Sequence, residues 1–152
     1  MKFFLAGIMQ GSHQGLALHA QDYRARLKAL LAQYFPTAEI YDPLADHTNS
    51  LDYDEEQGRR VFLHHVQLCG EVDVVLAFLP EASMGTAIEM WHAHQNGKAV
   101  VTISPLEHNW AVKFLSHAWY GDVAAFEAAL RSGQLAARLA EISGQSAEGG
   151  RQ

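Results

Sequence analysis

The sequence predicts one α/β domain: a flavodoxin-like, Rossmann-like three-layer sandwich on a five-stranded, mostly parallel sheet of order 2-1-3-4-5. Three observations lead there. Short, continuously apolar runs recur along the chain, as expected of strands buried on both faces. Segments of helical period separate these runs, so the strands are joined by crossovers and lie parallel. The chain has 152 residues, 49% of them hydrophobic, which is enough to bury one real core.

Residues 2–6 form the first strand, central because it is apolar throughout. Residues 7–15 follow as a polar loop with glycines at 7, 11 and 15. Their spacing is not the dinucleotide G-x-G-x-x-G fingerprint, and the loop lacks the lysine of a P-loop. Glycines there bring backbone N–H groups close to a ligand, or simply connect strand to helix. Residues 18–34 repeat Tyr23, Leu27, Leu30, Leu31 and Tyr34 at helical spacing, with Arg24, Arg26 and Lys28 expected to face water. Phe35-Pro36 ends this helix, and residues 39–41 make a short second strand. Residues 42–54 read as a loop, long enough to act as a lid, with Asp54 as the N-cap of the next helix. That helix spans 55–70 and buries Val61, Phe62, His65, Val66 and the Leu68–Cys69 end.

The stretch that organises the rest is 72–91. The run from Val74 to Leu79 is a buried parallel strand, closed by Pro80. Ser83, Gly85 and Thr86 turn the loop and cap a helix over 86–96, which Gly97 stops. Glu89 then sits about one turn inside that helix, beside the carboxyl edge where open α/β sheets bind ligands. The helix N-terminus is expected to keep it ionised and available as a nucleophile. The alternative is a glutamate that only complements the helix dipole, and Ser83 alone reads equally as a cap. Residues 98–103 are the fourth strand, 110–116 a short helix and 117–120 a weak fifth strand. Asp122 caps a helix to Arg131, another spans 135–142, and the small, polar 143–152 is expected to be disordered. The domain therefore covers 1–142.

Composition excludes several classes. A net charge of −6 without a basic cluster argues against a nucleic-acid polymer as partner. Cys69 is the sole cysteine, which rules out an intramolecular disulfide and a thiolate zinc site. The histidine pairs His64-His65 and His92-x-His94 fit no metalloprotease spacing, and residues adjacent on a helix diverge by about 100°. No metal or other cofactor is expected. The apolar N-terminal run is too short for a signal peptide, and no segment could span a bilayer. A cytoplasmic protein without a membrane partner is the expectation.

In Asp73-Val-Val-Leu-Ala…Ser83-Met-Gly85-Thr-Ala-Ile-Glu89 the chain resembles the nucleoside 2-deoxyribosyltransferase superfamily, matching its D-V-V-x-A…S-x-G-x-x-x-E pattern without a gap. Lys98-Ala-Val-Val is similar to the family's following strand, and Phe4-Leu-Ala-Gly7-Ile-Met-Gln10-Gly11 to its opening Y-x-x-G-x-x-x-G loop. The resemblance covers roughly residues 2–117 and is closest to the branch that hydrolyses the N-glycosidic bond of nucleoside 5′-monophosphates. It implies that Glu89 attacks the anomeric carbon through an oxocarbenium-like transition state, forming a covalent glycosyl-enzyme. Water then completes hydrolysis; a second base would complete deoxyribosyl transfer. Ser83 stands where the 5′ end binds. A serine can donate to a phosphate that an acid would repel. Gly85 and the Gly7, Gln10, Gly11 and Ser12 loop share that role.

Three residues depart from the family pattern. His65 occupies the position of the acid that protonates the leaving base, and a histidine can serve there. Gln10 replaces an arginine of the phosphate branch, and Phe4 replaces a tyrosine whose hydroxyl would lie near the sugar. The resemblance further implies a homodimer with a shared active site, to which residues 108–113 bring Asn109 and Lys113. Asp73 is expected to order the loop, and Trp110 to pack in the core or an interface. The partner is then a small nucleoside or nucleotide. A non-catalytic nucleotide-binding module is the alternative of another class.

Overall fold

The computed structural model describes residues 1–7, 22–47 and 50–149. Its strands are β1 (Lys2–Gly7), β2 (Glu39–Tyr41), β3 (Val74–Phe78), β4 (Ala99–Ile103) and β5 (Ala118–Tyr120). They form one sheet of order β2-β1-β3-β4-β5, parallel at every pairing. The helices are α1 (Asp22–Tyr34), α2 (Pro43–Asp46), α3 (Glu55–Cys69), α4 (Met84–Gln95), α5 (Trp110–Leu115), α6 (Val123–Arg131) and α7 (Gln134–Gly149).

Side chains alternate across each strand, so one apolar run feeds two cores. Phe3, Leu5, Leu76 and Val101 turn to one face, against Leu27 and Leu31 of α1, Phe126 of α6 and Leu139 of α7. Phe4, Ala6, Val75 and Ala77 turn to the other, against Cys69 of α3, Met90 and Ala93 of α4 and Val112 of α5. The outcome is the three-layer sandwich. Gly97 (φ +67°), just past the C-cap of α4, takes the left-handed conformation that glycine adopts without a Cβ penalty.

Several boundaries and faces differ from expectation. Residues 42–54 hold α2, capped by Asp42, and a 3-10 turn at Ser50–Asp52, while Asp54 does cap α3. The last helix runs on to Gly149, because neither Ser143 nor Gly144 breaks it and the Ser143 hydroxyl bonds back to Leu139 O at 2.9 Å. On α3 only His65 and Cys69 are buried, and Phe62 is exposed. Arg24 does not face water. It is 3% exposed, because positions 24, 27 and 31 share one helix face and an acidic partner meets it there. Among the described residues, no helix is long and apolar enough to cross a membrane.

The β4–β5 edge contains an acid-sensitive joint. His117 Nδ1 accepts the Val100 N–H at 3.0 Å, and its ring stacks on His94 at 5.2 Å. An Nδ1 that accepts must keep its lone pair. Burial, then the neighbouring His94 and Arg138 charges, hold the His117 pKa below the usual histidine value. A folded pKa below the unfolded value of about 6.5 means that full stability is present above that pH and is lost as pH falls below it. Thermal midpoints measured from about pH 7.5 down to 5 should fall, and His117→Gln should flatten part of that slope.

Candidate active site

The site begins at the carboxyl edge of the central strands. Gly7 of β1 pairs with Phe78 of β3, which pairs with Ile103 of β4. The chain leaves β1 and β3 for opposite sides of the sheet, and this reversal opens a crevice. The loop after β3 is held at its start. Leu79 N–H donates to Ile103 O at 2.9 Å, and the buried Ser104 hydroxyl donates to Leu79 O at 2.6 Å. The chain then reaches Ser83, the N-cap of α4. Its Oγ accepts from Thr86 N–H at 3.4 Å and from the Thr86 hydroxyl at 3.1 Å, so its own hydrogen is left for a ligand. The helix starts at Met84, two residues earlier than expected, because Ser83 rather than Gly85 or Thr86 supplies the cap.

Glu89 lies in the second turn of α4, half-buried, with no hydrogen bond or ion pair to a described residue. Burial pushes its carboxyl up to about 8, and the Arg24 charge draws it partly back. The expectation that the helix N-terminus keeps Glu89 ionised is therefore corrected. The dipole acts within the first turn, whereas desolvation acts on the whole carboxylate and wins. Two further groups sense its charge. The Cys69 thiol is raised by burial and then by Glu89. The Tyr23 phenol is raised to about 12 by burial and also by Asp42 and Glu89, against the opposing Arg24. The Glu89 charge is thus felt by groups on α1 and on α3.

Arg24 knits this region together. Its guanidinium donates to Leu5 O at 3.0 Å and to Asp42 Oδ1 at 2.9 Å, and Lys28 Nζ reaches Asp42 Oδ2 at 3.4 Å. His65 is buried on the inner face of α3, with Nε2 3.2 Å from the Tyr41 hydroxyl and its ring 5.1 Å from that of His47. His47 Nδ1 in turn meets the Tyr53 hydroxyl at 2.7 Å. Sequence reading missed Tyr23, Arg24, Tyr41, Asp42, His47 and Tyr53. For Arg24 the signal was present, since the apolar stripe of α1 passes through it.

Of the expected site residues, Gly7 ends β1 at the carboxyl edge of the sheet, and Ser83, Gly85 and Glu89 lie in the cap and first two turns of α4. Gln10, Gly11 and Ser12 lie outside the described residues. Phe4 is fully buried and stacks on Tyr41 at 5.4 Å, where it packs in the core. Asn109 caps α5 through its Oδ1 and lines, with Ser83, Leu106 and Val112, a cavity of about 360 Å³ that Glu89 does not line. Lys113 is exposed, over the Phe114 ring. Trp110 is 77% exposed and is not core. Asp73 belongs to the opposite edge, where it accepts Lys2 N–H at 2.7 Å and ties the start of β1 to β3. Among the described residues, no three of His, Cys, Asp or Glu converge to hold a metal ion.

The fold is an open α/β domain with a crevice at its switch point. No family profile and no curated protein sequence matches the chain. Solved structures do match. A 2-deoxyribosyltransferase from Bacillus psychrosaccharolyticus is similar at a TM-score of 0.63 and 17% identity, over 84% of this chain and 90% of that one. The CMP N-glycosidase BcmB of Clostridium botulinum is similar at 0.54 and 20%, over 86% and 98%. A conserved protein of Enterococcus faecalis V583 is similar at 0.52 and 18%, over 95% and 98%. The chain shares their fold along nearly its whole length.

Proposed function

We propose that this protein is an enzyme of the nucleoside 2-deoxyribosyltransferase superfamily. It cleaves the N-glycosidic bond of a nucleoside 5′-monophosphate or a related (deoxy)nucleoside. The observation that carries the reading is Glu89. A half-buried carboxyl without a hydrogen bond or ion pair among the described residues, raised to about 8 near the N-terminus of α4, costs stability at neutral pH. The fold shared with a deoxyribosyltransferase and an N-glycosidase supports the same reading.

In this mechanism the Glu89 carboxylate attacks C1′ as the bond from C1′ to the base nitrogen breaks. The base leaves with that electron pair and takes a proton from His65. Water, losing a proton back to the histidine, then opens the glycosyl ester and restores Glu89. Ser83 donates its remaining hydrogen to the 5′ phosphate, joined by backbone N–H groups of the first turn of α4 around Gly85. Deoxyribosyl transfer differs only in the group that opens the ester.

The test is base release from a panel of ribo- and deoxyribonucleosides and their 5′-monophosphates, with and without an acceptor base. Preference for monophosphates supports the Ser83 role. Products that appear only with an acceptor reassign the enzyme as a transferase. No release from any substrate sinks both readings and leaves a binding module.

The same reading includes a homodimer in the cytoplasm. Leu63 of α3, Met84, Ile88 and Trp91 of α4, and Trp110 and Phe114 of α5 are all exposed, and all belong to the helices of one layer. An apolar layer of this kind suits a second copy of the chain, which would also carry Asn109 and Lys113 toward its neighbour. Light scattering should give twice the 16.8 kDa chain mass, and Trp91→Glu should give the monomer. A monomeric native protein rejects the dimer.

A further inference from the structure

The Tyr41 hydroxyl lies 3.2 Å from His65 Nε2, a hydrogen bond between the end of β2 and the inner face of α3. Its neighbours hold the tyrosine in place. Its register partner is Phe4 of β1, and the two rings stack with centroids 5.4 Å apart and planes 21° from parallel. The next residue, Asp42, is locked in its buried pair with Arg24 at 2.9 Å. The hydroxyl is therefore a polar atom on a rigid platform. His65 is buried against it, with its ring edge-on to those of Tyr41 at 5.9 Å and Phe4 at 6.1 Å.

Contacts between α3 and α4 fix the height at which His65 stands. Phe62 Cε2 lies 4.0 Å from where a Cβ on Gly85 would stand, and a Cβ on Gly70 would meet His92 Nε2 at 2.7 Å. The two helices therefore run side by side in one direction. From the first contact, His65 and Glu89 lie about 4.5 and 6 Å further along their axes. From the second, they lie about 7.5 and 4.5 Å back. Both measures put His65 level with Glu89, to within about two residues of helix rise. Other titratable groups face the imidazole too. His47, after α2, brings its ring to 5.1 Å and bonds to Tyr53. On α3, His64 is 6.1 Å away, and Cys69, one turn on, is held as a thiol by burial.

We propose that Tyr41 is the positioning residue of His65: its hydroxyl fixes the imidazole by Nε2 and accepts the Nε2 hydrogen when the ring is charged, which holds the acid ready for the leaving base. The inference rests on His65 as the acid of the proposed reaction. An imidazolium carries hydrogen on both nitrogens, so Nε2 donates and the phenol oxygen accepts. Charge makes such a bond roughly twice as strong as its neutral counterpart. Fixing one nitrogen of a histidine also sets the orientation in which the ring works. Tyr41 neither gains nor loses a proton and acts on the reaction only through His65.

The experiment compares the native protein, Tyr41→Phe, His65→Gln and the double variant on two kinds of substrate. Natural nucleosides and nucleotides carry a base that leaves with a proton. Para-nitrophenyl ribosides, with and without a 5′-phosphate, lose a phenolate that needs none. Phenylalanine keeps the stack on Phe4, so the first variant retains its fold. Tyr41→Phe should lower kcat on the natural substrates by about tenfold to a hundredfold and leave KM within about twofold. On the nitrophenyl substrates the change should stay below about threefold. Added to His65→Gln, Tyr41→Phe should cost almost nothing more, because nothing is left for it to position. By NMR, the His65 ring should titrate lower by about 0.5 pH or more in Tyr41→Phe, since its charged form has lost an acceptor. Equal losses on both kinds of substrate, a full further loss in the double variant, or an unmoved His65 midpoint overturns the proposal. Base release by the native protein that survives undiminished in Tyr41→Phe also overturns it and leaves the proposed function standing. A native protein that releases nothing from either kind of substrate overturns that function, and this proposal with it.

Discussion

Glu89→Gln should reduce base release by at least about a thousandfold, with little change in substrate binding. Removing a single hydrogen bond to a transition state costs about a hundredfold to a thousandfold, and removing the attacking atom should cost no less. Glutamine preserves shape and polarity, so the loss reports on the carboxylate alone. The pH dependence gives an independent check. A nucleophile must be ionised, and the Glu89 carboxyl titrates near 8. The native kcat/KM should therefore rise with pH as the carboxylate ionises, and fall where His65 loses the proton it gives to the base. If Glu89 instead supplied a proton, the slope would have the opposite sign.

Stability should move the other way. A carboxyl whose folded pKa lies above its unfolded value binds more protons when folded. Stability is therefore full below about 4.5 and declines as pH rises toward 8. Glu89→Gln abolishes that decline and should melt higher than the native protein at pH 8. A variant that loses its rate and gains stability is expected of a group retained for chemistry. Near-native base release in Glu89→Gln would remove the nucleophile from the mechanism.

The strands and their order were legible because each apolar run is short, buried on both faces and separated from the next by a helical segment. Asp54 and Asp122 were legible as caps because a cap is a local event: each accepts an N–H three residues on, at 2.7 and 2.8 Å. Glu89 could be placed by its spacing from the third strand, but its ionisation could not. The helix dipole can be read from sequence, whereas the desolvation that outweighs it depends on how the folded chain buries the carboxyl. Phe4 misled for a similar reason. The resemblance puts an aromatic near the sugar at its position, yet alternation along β1 turns it into the core against Tyr41. Tyr23 was assigned to an apolar stripe, correctly for its ring, which stacks on Phe78 at 4.2 Å.

The arginines of α1 give the second large effect. Arg24 and Arg26 are two residues apart, and sequence assigns both to water. Arg26 does pair at the surface, with Glu127 at 3.2 Å and its own side chain 58% exposed. Exposed pairs contribute about 0–1 kcal/mol, so Arg26→Met should leave the thermal midpoint almost unchanged. Arg24 and Asp42 are 4% and 8% exposed and 2.9 Å apart. Breaking a buried pair by removing one member costs about 3–5 kcal/mol, because the remaining charge has lost both water and partner. Asp42 keeps Lys28 at 3.4 Å and the Leu44 N–H at 3.2 Å, so Arg24→Met should fall near the lower end, about 3 kcal/mol. For a chain of this size that is roughly 6–12 °C in thermal midpoint. Adding Asp42→Leu should recover part of the loss, since an apolar pair leaves no stranded charge. The functional consequence has a definite sign. Arg24 is the charge that lowers the Glu89 carboxyl, so without it Glu89 should titrate higher and the rising limb of kcat/KM should move to higher pH. A surface-like response, with a midpoint change no larger than that of Arg26→Met and an unmoved pH profile, would show that the pair neither anchors the end of β1 nor reaches the carboxyl it is placed to tune.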